Sequence, residues 1–294
     1  MTDRYYQENP FITEEKQLLK EYFHVNEEEQ VIFRCMTLNI NDFKSTMEST
    51  SIKEVLIEAL LDIRPQLVAF QQCSDKEELV DIAKALSMNY TYEPTGSLAL
   101  LSTFVMTKVR HFEANNFRTM LQASVRLKGI DKDIMVATTL TKPTESDVQA
   151  LQTMCKKLLG KPYVLPKIGQ PLEQSTLTPE TLPYLVLGDF STMRLEDYPF
   201  EELSRLSRSL SNSAHFEKDR FEAYHYLTTA YRLTDAMLHQ RSPSDQFITN
   251  PTTHTRDDYA FLSPNFPFRI ATVHPLHLST TMTKYALIVD MIIN

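Results

Sequence analysis

Residues 283–287 read Thr-Lys-Tyr-Ala-Leu, "TKYAL", and open the apolar run 285–293, "YALIVDMII". The run predicts a strand, and a lysine and a tyrosine stand where it begins. Upstream, strands are predicted at 31–39 (VIFRCMTLN), 65–72 (PQLVAFQQ), 98–107 (LALLSTFVMT), 122–129 (QASVRLKG) and 133–140 (DIMVATTL). Later ones are predicted at 183–190 (PYLVLGDF), 258–263 (DYAFLS) and 268–274 (FRIATVH). Helices alternate with them irregularly. Ser51-x-x-Glu54 and Ser74-x-x-Glu77 are capping boxes that open two of them. Others are predicted at 13–23, 145–159, 201–213 and 219–238. Late strands follow one another directly, which points to an α/β domain with mixed sheets rather than a regular βαβ barrel.

Composition narrows the classes. Of 294 residues, 42% are hydrophobic and 23% charged, as expected of a globular chain with room for a sizeable core. No apolar run approaches the roughly 18 residues of a membrane span. The acidic start, MTDRYYQENPF, has neither an apolar core nor a basic character, so no signal or transit peptide is expected and an intracellular, cytoplasmic location is. Three widely spaced cysteines form no CxxC pair, which argues against a disulfide framework or a zinc site. Five glycines and the absence of GxGxxG or GxxxxGK[ST] exclude Rossmann and P-loop nucleotide chemistry. The net charge is −8, of which residues 1–30 carry −5, so no basic footprint for nucleic acid is visible in the totals.

The organisation expected is an acidic extension over 1–30 with a short amphipathic helix, then one domain over 31–294. Residues 160–183, with five prolines, read as a long insertion inside it. The helix presents Leu18, Leu19, Tyr22 and Phe23 on one face. That face either packs on its own domain or docks a partner.

The strand ends carry the chemistry. TLNIND (37–42) ends a strand with Asn39, and LVAFQQC (67–73) ends one with Gln72. ATTL (137–140) comes next, then LVLGDFS (185–191) with Asp189, RDDYAFLS (256–263) with Asp258, and finally TKYAL. In order and spacing these six pieces resemble the endonuclease/exonuclease/phosphatase superfamily over about residues 31–294. The resemblance implies a four-layer α/β sandwich, two packed mixed β-sheets flanked by helices, with the site where strand ends converge. It also implies a magnesium-dependent phosphodiesterase mechanism. There an Asn, a Glu and the Asp of Ser-Asp-His surround the metal, two histidines contact the phosphate, and Gly-Asp-x-Asn orients the nucleophile. A further Asp holds the last histidine.

Carried over by position, Asn39, Asp189 and Asp258 agree with that pattern. Gln72 replaces the metal Glu, Thr139 the first histidine, and Ser191 the Asn of Gly-Asp-x-Asn. Lys284 and Tyr285 replace the Asp and His of Ser-Asp-His. Glu to Gln adds one positive unit at the metal position and Asp to Lys adds two. An ammonium there repels magnesium, whose hard-oxygen shell needs carboxylates. The expectation is therefore a catalytically degenerate member, without metal or other cofactor, that serves as a binding or scaffolding subunit with a protein partner.

Two alternatives stand beside it. One is a divergent phosphodiesterase or nuclease with residual or altered, magnesium-dependent activity. The other is a non-catalytic binder of a phosphorylated ligand, with Lys284 supplying the charge. Lys284 itself reads either as a solvated strand-edge lysine or as an ammonium in the metal position paired with Asp189. Asp258 and Tyr285 read as a retained carboxylate–donor contact or as ordinary buried residues. His254, His274 and His277 read as structural histidines, with a regrafted site as the less expected role, and Cys73 reads as a buried thiol.

Overall fold

The computed structural model describes residues 23–25, 30–43, 51–94, 97–115, 118–127, 132–141, 145–158, 182–209, 219–239, 248–279 and 282–293. Its first half holds β1 (His24–Val25), β2 (Val31–Asn39), α1 (Ile52–Ile63), β3 (Leu67–Gln71), α2 (Lys76–Ala85), β4 (Asn89–Tyr92) and β5 (Leu98–Ser102). Then come β6 (Met106–Asn115), β7 (Arg118–Leu127), β8 (Lys132–Leu140), α3 (Glu145–Leu158) and β9 (Tyr184–Asp189). The remainder is α4 (Phe200–Ser209), α5 (Asp219–Ala230), β10 (Thr234–Asp235), β11 (Asp258–Leu262), β12 (Arg269–Leu276) and β13 (Ala286–Ile293).

The strands form two mixed sheets. One runs β12-β13-β2-β3-β5-β4, with β1 on the start of β2; the other runs β10-β11-β9-β8-β7-β6. Only β2–β3 and β8–β9 are parallel among the described strands. Period-2 alternation explains the layering. In β3, Leu67 and Ala69 face the other sheet, whereas Val68 and Phe70 face helices α1 and α2. In β9, Leu185 and Leu187 point between the sheets while Val186 packs toward α3 and α5. Strands covered on both faces read as unbroken apolar runs, which is why they were legible. The result is the expected helix–sheet–sheet–helix sandwich. No described helix is long and apolar enough to cross a membrane.

Several expectations are corrected. The strand predicted over 98–107 is two strands in different sheets. At Phe104 the chain turns inward beside Phe23 and Phe33, its amide held by Ser102 Oγ at 3.0 Å. The second capping box is not formed by Ser74. Asp75 caps α2, accepting from the amides of Glu77 (2.9 Å) and Glu78 (3.1 Å). The helix predicted over 219–238 stops at Ala230, because Asp235 must enter a strand to meet a buried arginine. β4, an edge strand of exposed and half-buried residues, carried too little pattern to be found. The domain packing also reaches back before residue 31: Phe23 lies in the inter-sheet core and His24–Val25 pair with β2. The rest of the helix expected over 13–23, and residues 160–181 of the Pro-rich insertion, lie outside the described residues.

Gly188 is the position where a side chain has no room. A Cβ there would meet the Thr139 carbonyl oxygen of the neighbouring strand at 2.2 Å. Gly188→Ala is expected to cost about 1–3 kcal/mol by overpacking, read as a lowered urea midpoint with an unchanged slope. A variant as stable as the natural chain would refute this close approach.

Candidate functional site

The parallel pairs of both sheets end at one rim. Asn39 is opposite Gln71 at the end of β2 and β3, and Asp189 is opposite Leu140 at the end of β8 and β9. The antiparallel neighbours start there: Asp258 pairs with Asp189, and Leu287 of β13 pairs with Thr37. This register gathers the site residues from five separate segments.

Asp189 is the hub and is buried. Its Oδ1 accepts from the Ser191 amide (2.9 Å) and hydroxyl (3.0 Å). Its Oδ2 accepts from Asn39 Nδ2 at 2.9 Å and lies 3.5 Å from Lys284 Nζ. Four donors occupy the lone-pair directions of this carboxylate. Asn39 is oriented in turn, since its Oδ1 accepts from the Asn41 amide at 3.0 Å. Ser191 reaches Asp189 from a left-handed backbone conformation, φ 44°.

Lys284 is not a solvated edge residue. Its side chain is 16% exposed, and its shortest contact is to Asp257 Oδ2, at 2.8 Å. The expected pairing with Asp189 is present but secondary. Asp257 was missed in the sequence, where only its neighbour Asp258 matched a pattern. The signal available was the doublet in "RDDY". Asn250 Nδ2 (2.7 Å) and Thr255 Oγ1 (2.8 Å) also donate to Asp257. Burial works against the Lys284 ammonium, but the carboxylates of Asp189, Asp257 and Asp258 outweigh it and hold its pKa above the ordinary lysine value.

Asp258 is fully buried, and neither carboxyl oxygen has a hydrogen-bond partner among the described residues. The nearby Thr249 hydroxyl accepts from the amides of Asp257 and Asp258, at 2.9 and 3.0 Å. Burial, then the charge of Asp189, pushes the Asp258 carboxyl well above its ordinary range. The contact considered between Asp258 and Tyr285 is not formed. Tyr285 turns its ring onto His277, centroids 4.8 Å apart, and its amide donates to the Thr249 carbonyl.

Gln72 and Thr139 stand apart from this cluster in different ways. Gln72 comes just after the end of β3 at φ 52°, half-buried, its amide donating to the Ser97 carbonyl and its carbonyl accepting from the Asp42 amide. The glutamine that spans the sheets is Gln71, whose Nε2 donates to Thr138 Oγ1 at 2.9 Å and Thr37 Oγ1 at 3.0 Å. Thr139 is buried on β8, opposite Gly188. His254 and His274 join no metal-ligating group; among the described residues no cluster of three or more His, Cys, Asp or Glu side chains could hold a metal. Cys73 is buried, and desolvation pushes its thiol up to about 12, which fits an inert buried thiol.

The entry to β11 is clamped by a second buried ion pair. The Arg256 fork grips Asp235 at 2.8 and 2.5 Å, reaches Asp197 at 3.2 Å and lies 3.9 Å above the Tyr259 ring. This fixes the backbone that presents Asp257 and Asp258.

The residues present do not fit a magnesium ion at the rim. The implied site needs carboxylate oxygens free to face the ion. Here Asp189 and Asp257 share one ammonium, and Asp189 accepts further from Ser191 and Asn39.

No family model and no curated protein matches the sequence. Solved structures do resemble the fold. The human Nocturnin catalytic domain with bound sulfate superposes with a TM-score of 0.59 at 13% identity, covering 88% of this chain and 94% of that one. An endonuclease/exonuclease/phosphatase family protein from Bacteroides thetaiotaomicron gives 0.60 at 12%, covering 90% and 99%. D. rerio TDP2 complexed with a single-stranded DNA product gives 0.59 at 10%, covering 88% and 98%. The chain thus has the endonuclease/exonuclease/phosphatase fold.

Two measurements check the electrostatics. Lys284→Met leaves two buried carboxylates without their cation and is expected to cost about 3–5 kcal/mol at pH 7, read by urea denaturation; a loss below about 1 kcal/mol would place the lysine in solvent. Asp258 has a folded pKa above its unfolded value, so the unfolded chain releases that proton first as pH rises and stability falls above about pH 4. Asp258→Asn removes the penalty. Its advantage over the natural chain should grow between pH 5 and pH 8, by up to about 1.4 kcal/mol per pH unit. Thermal melts at both pH values test this, and a pH-independent difference would contradict it.

Proposed function

We propose that this chain is a catalytically degenerate member of the fold's phosphodiesterase group that acts as a binding or scaffolding protein. One observation carries the reading: the Lys284 ammonium, at a position where the resemblance implies a metal-ligating carboxylate, is turned onto Asp257 and Asp189. Chemistry at phosphorus needs a positive centre that can face the phosphoryl oxygens and a carboxylate able to orient water. Neither requirement is met by side chains that already satisfy each other. Lys284 donates inward to carboxylates, and Asp189 accepts from Ser191, Asn39 and Lys284. The second histidine position, filled by Tyr285, offers a ring tilted against His277.

The same pairing weighs against a phosphate-binding role for Lys284. To meet an anion, the ammonium would have to leave two buried carboxylates behind, at a cost of several kcal/mol. The names of the similar structures describe catalytic and DNA-bound proteins of this fold, and fold alone transfers neither property.

The natural protein is expected to show no magnesium- or manganese-dependent turnover of a generic phosphodiester, and no thermal shift with either ion. The double variant Lys284→Asp, Tyr285→His restores a carboxylate and an imidazole. It should gain an ion-dependent rise in melting temperature, because an ion that binds only the folded state stabilises it by about 2.7 kcal/mol at a hundredfold excess over Kd. Metal-dependent turnover by the natural protein, abolished by Asp189→Asn, would overturn the proposal.

A further inference from the structure

α1 carries a charge pattern that its own fold does not satisfy. Ile52, Leu56 and Leu60 point into the core, whereas Glu54, Glu58 and Asp62 recur every four residues along another face. Like charges at this spacing destabilise a helix. The last turn has no basic residue and carries Asp62; beyond it the Arg64 C-cap and the Arg34 guanidinium, donating to the Ile63 carbonyl at 2.7 Å, meet the negative end of the helix dipole. Lys53, the one lysine on this helix, is already paired with Asp81 at 3.2 Å. No described residue forms an ion pair with Glu58 or Asp62.

Beside this stripe lies a cleft of about 790 Å³ between α1 and the end of β12. Its apolar walls are Val55 and Ala59 from the helix, Leu276 at the end of the strand and Leu278 just beyond it. Glu58 and Asp62 stand on its edge, and Leu61 beside them is 51% exposed. The cleft adjoins the rim, because His277, also in its wall, packs at a tilt against Tyr285, the residue after Lys284.

We propose that this cleft is a docking groove for a basic amphipathic helix of a protein partner. Apolar side chains at helical spacing would enter between Val55 and Leu276, and Lys or Arg side chains would meet Glu58 and Asp62. Charge complementarity selects this occupant: the groove adds two carboxylates without an ion-pair partner among the described residues to a chain of net charge −8. A second copy of this chain would bring like charge to the same edge. The inference rests on the binding role proposed above and supplies the partner's chemistry.

The probe is a Leu/Lys amphipathic peptide of about five helical turns, with a Leu/Glu peptide of the same pattern as control, followed by fluorescence anisotropy on the full chain. The Lys peptide should bind and the Glu peptide should not. Glu58→Lys with Asp62→Lys, and separately Leu61→Glu, should each weaken binding about tenfold or more. Glu196→Lys with Glu201→Lys changes net charge equally on other exposed elements and should leave binding within about twofold. Equal loss in both charge-reversed pairs would reduce the effect to general attraction and overturn the groove. Absence of binding would do the same, as would a dimer of the natural chain dissociated by Leu61→Glu. These outcomes are separable from the catalytic reading. Metal-dependent turnover would defeat that reading with the peptide result intact, whereas a silent protein that binds no peptide would defeat the groove alone.

Discussion

A cation and its carboxylates cannot be buried separately, and this constraint organises the rim. Lys284 enters from the sheet that holds β13, while Asp189 and Asp257 belong to the opposite sheet. Their pairing, with the Asn39–Asp189 bond beside it, ties the two sheets where the apolar layer between them ends. Removing any one member leaves the others charged or polar without solvent, a cost of several kcal/mol. Asp257 is further held by Asn250 and Thr255, and the neighbouring Arg256 by Asp235 and Asp197. The turn at 250–255, the short β10 and the segment before α4 are thereby all referred to one ionic seam.

This seam keeps the shape of a strand-end site while changing its charge logic. In a metal-dependent site the carboxylates converge on an external ion and leave coordination positions open to substrate. Here the cation is a side chain of the same polypeptide, and its donors are directed at carboxylates whose charge raises its pKa. A self-satisfied cluster contributes to stability and offers little to a ligand. Apart from the buried Asp258 carboxyl, unpaired charge lies away from the rim, on the acidic stripe of α1 and beside the apolar cleft.

The architecture was largely readable because both sheets are covered on both faces. Runs such as LVAFQ and ALIVDMII have no other stable disposition than buried strands, and Ser51 with Glu54 announced the helix between two of them. Reading failed where local pattern was weak or overridden. β4 is a half-exposed edge strand, the 98–107 run was broken by the need to bury Phe104, and Asp235 was drawn from a helical pattern by Arg256.

The sequence by itself determined which residue types stand at the strand ends, and hence the charge of the rim: a lysine and a neutral amide stand where carboxylates were expected. Only the tertiary structure decided which groups meet. Asp257 rather than Asp189 is the nearer partner of Lys284, Gln71 rather than Gln72 spans the sheets, and Tyr285 packs against His277 instead of meeting Asp258. The reason is geometric. Along a strand, neighbouring side chains point to opposite faces, so one residue of register decides whether a polar group enters the seam or leaves it. That register is settled by cross-strand pairing over the whole sheet, which no short motif contains.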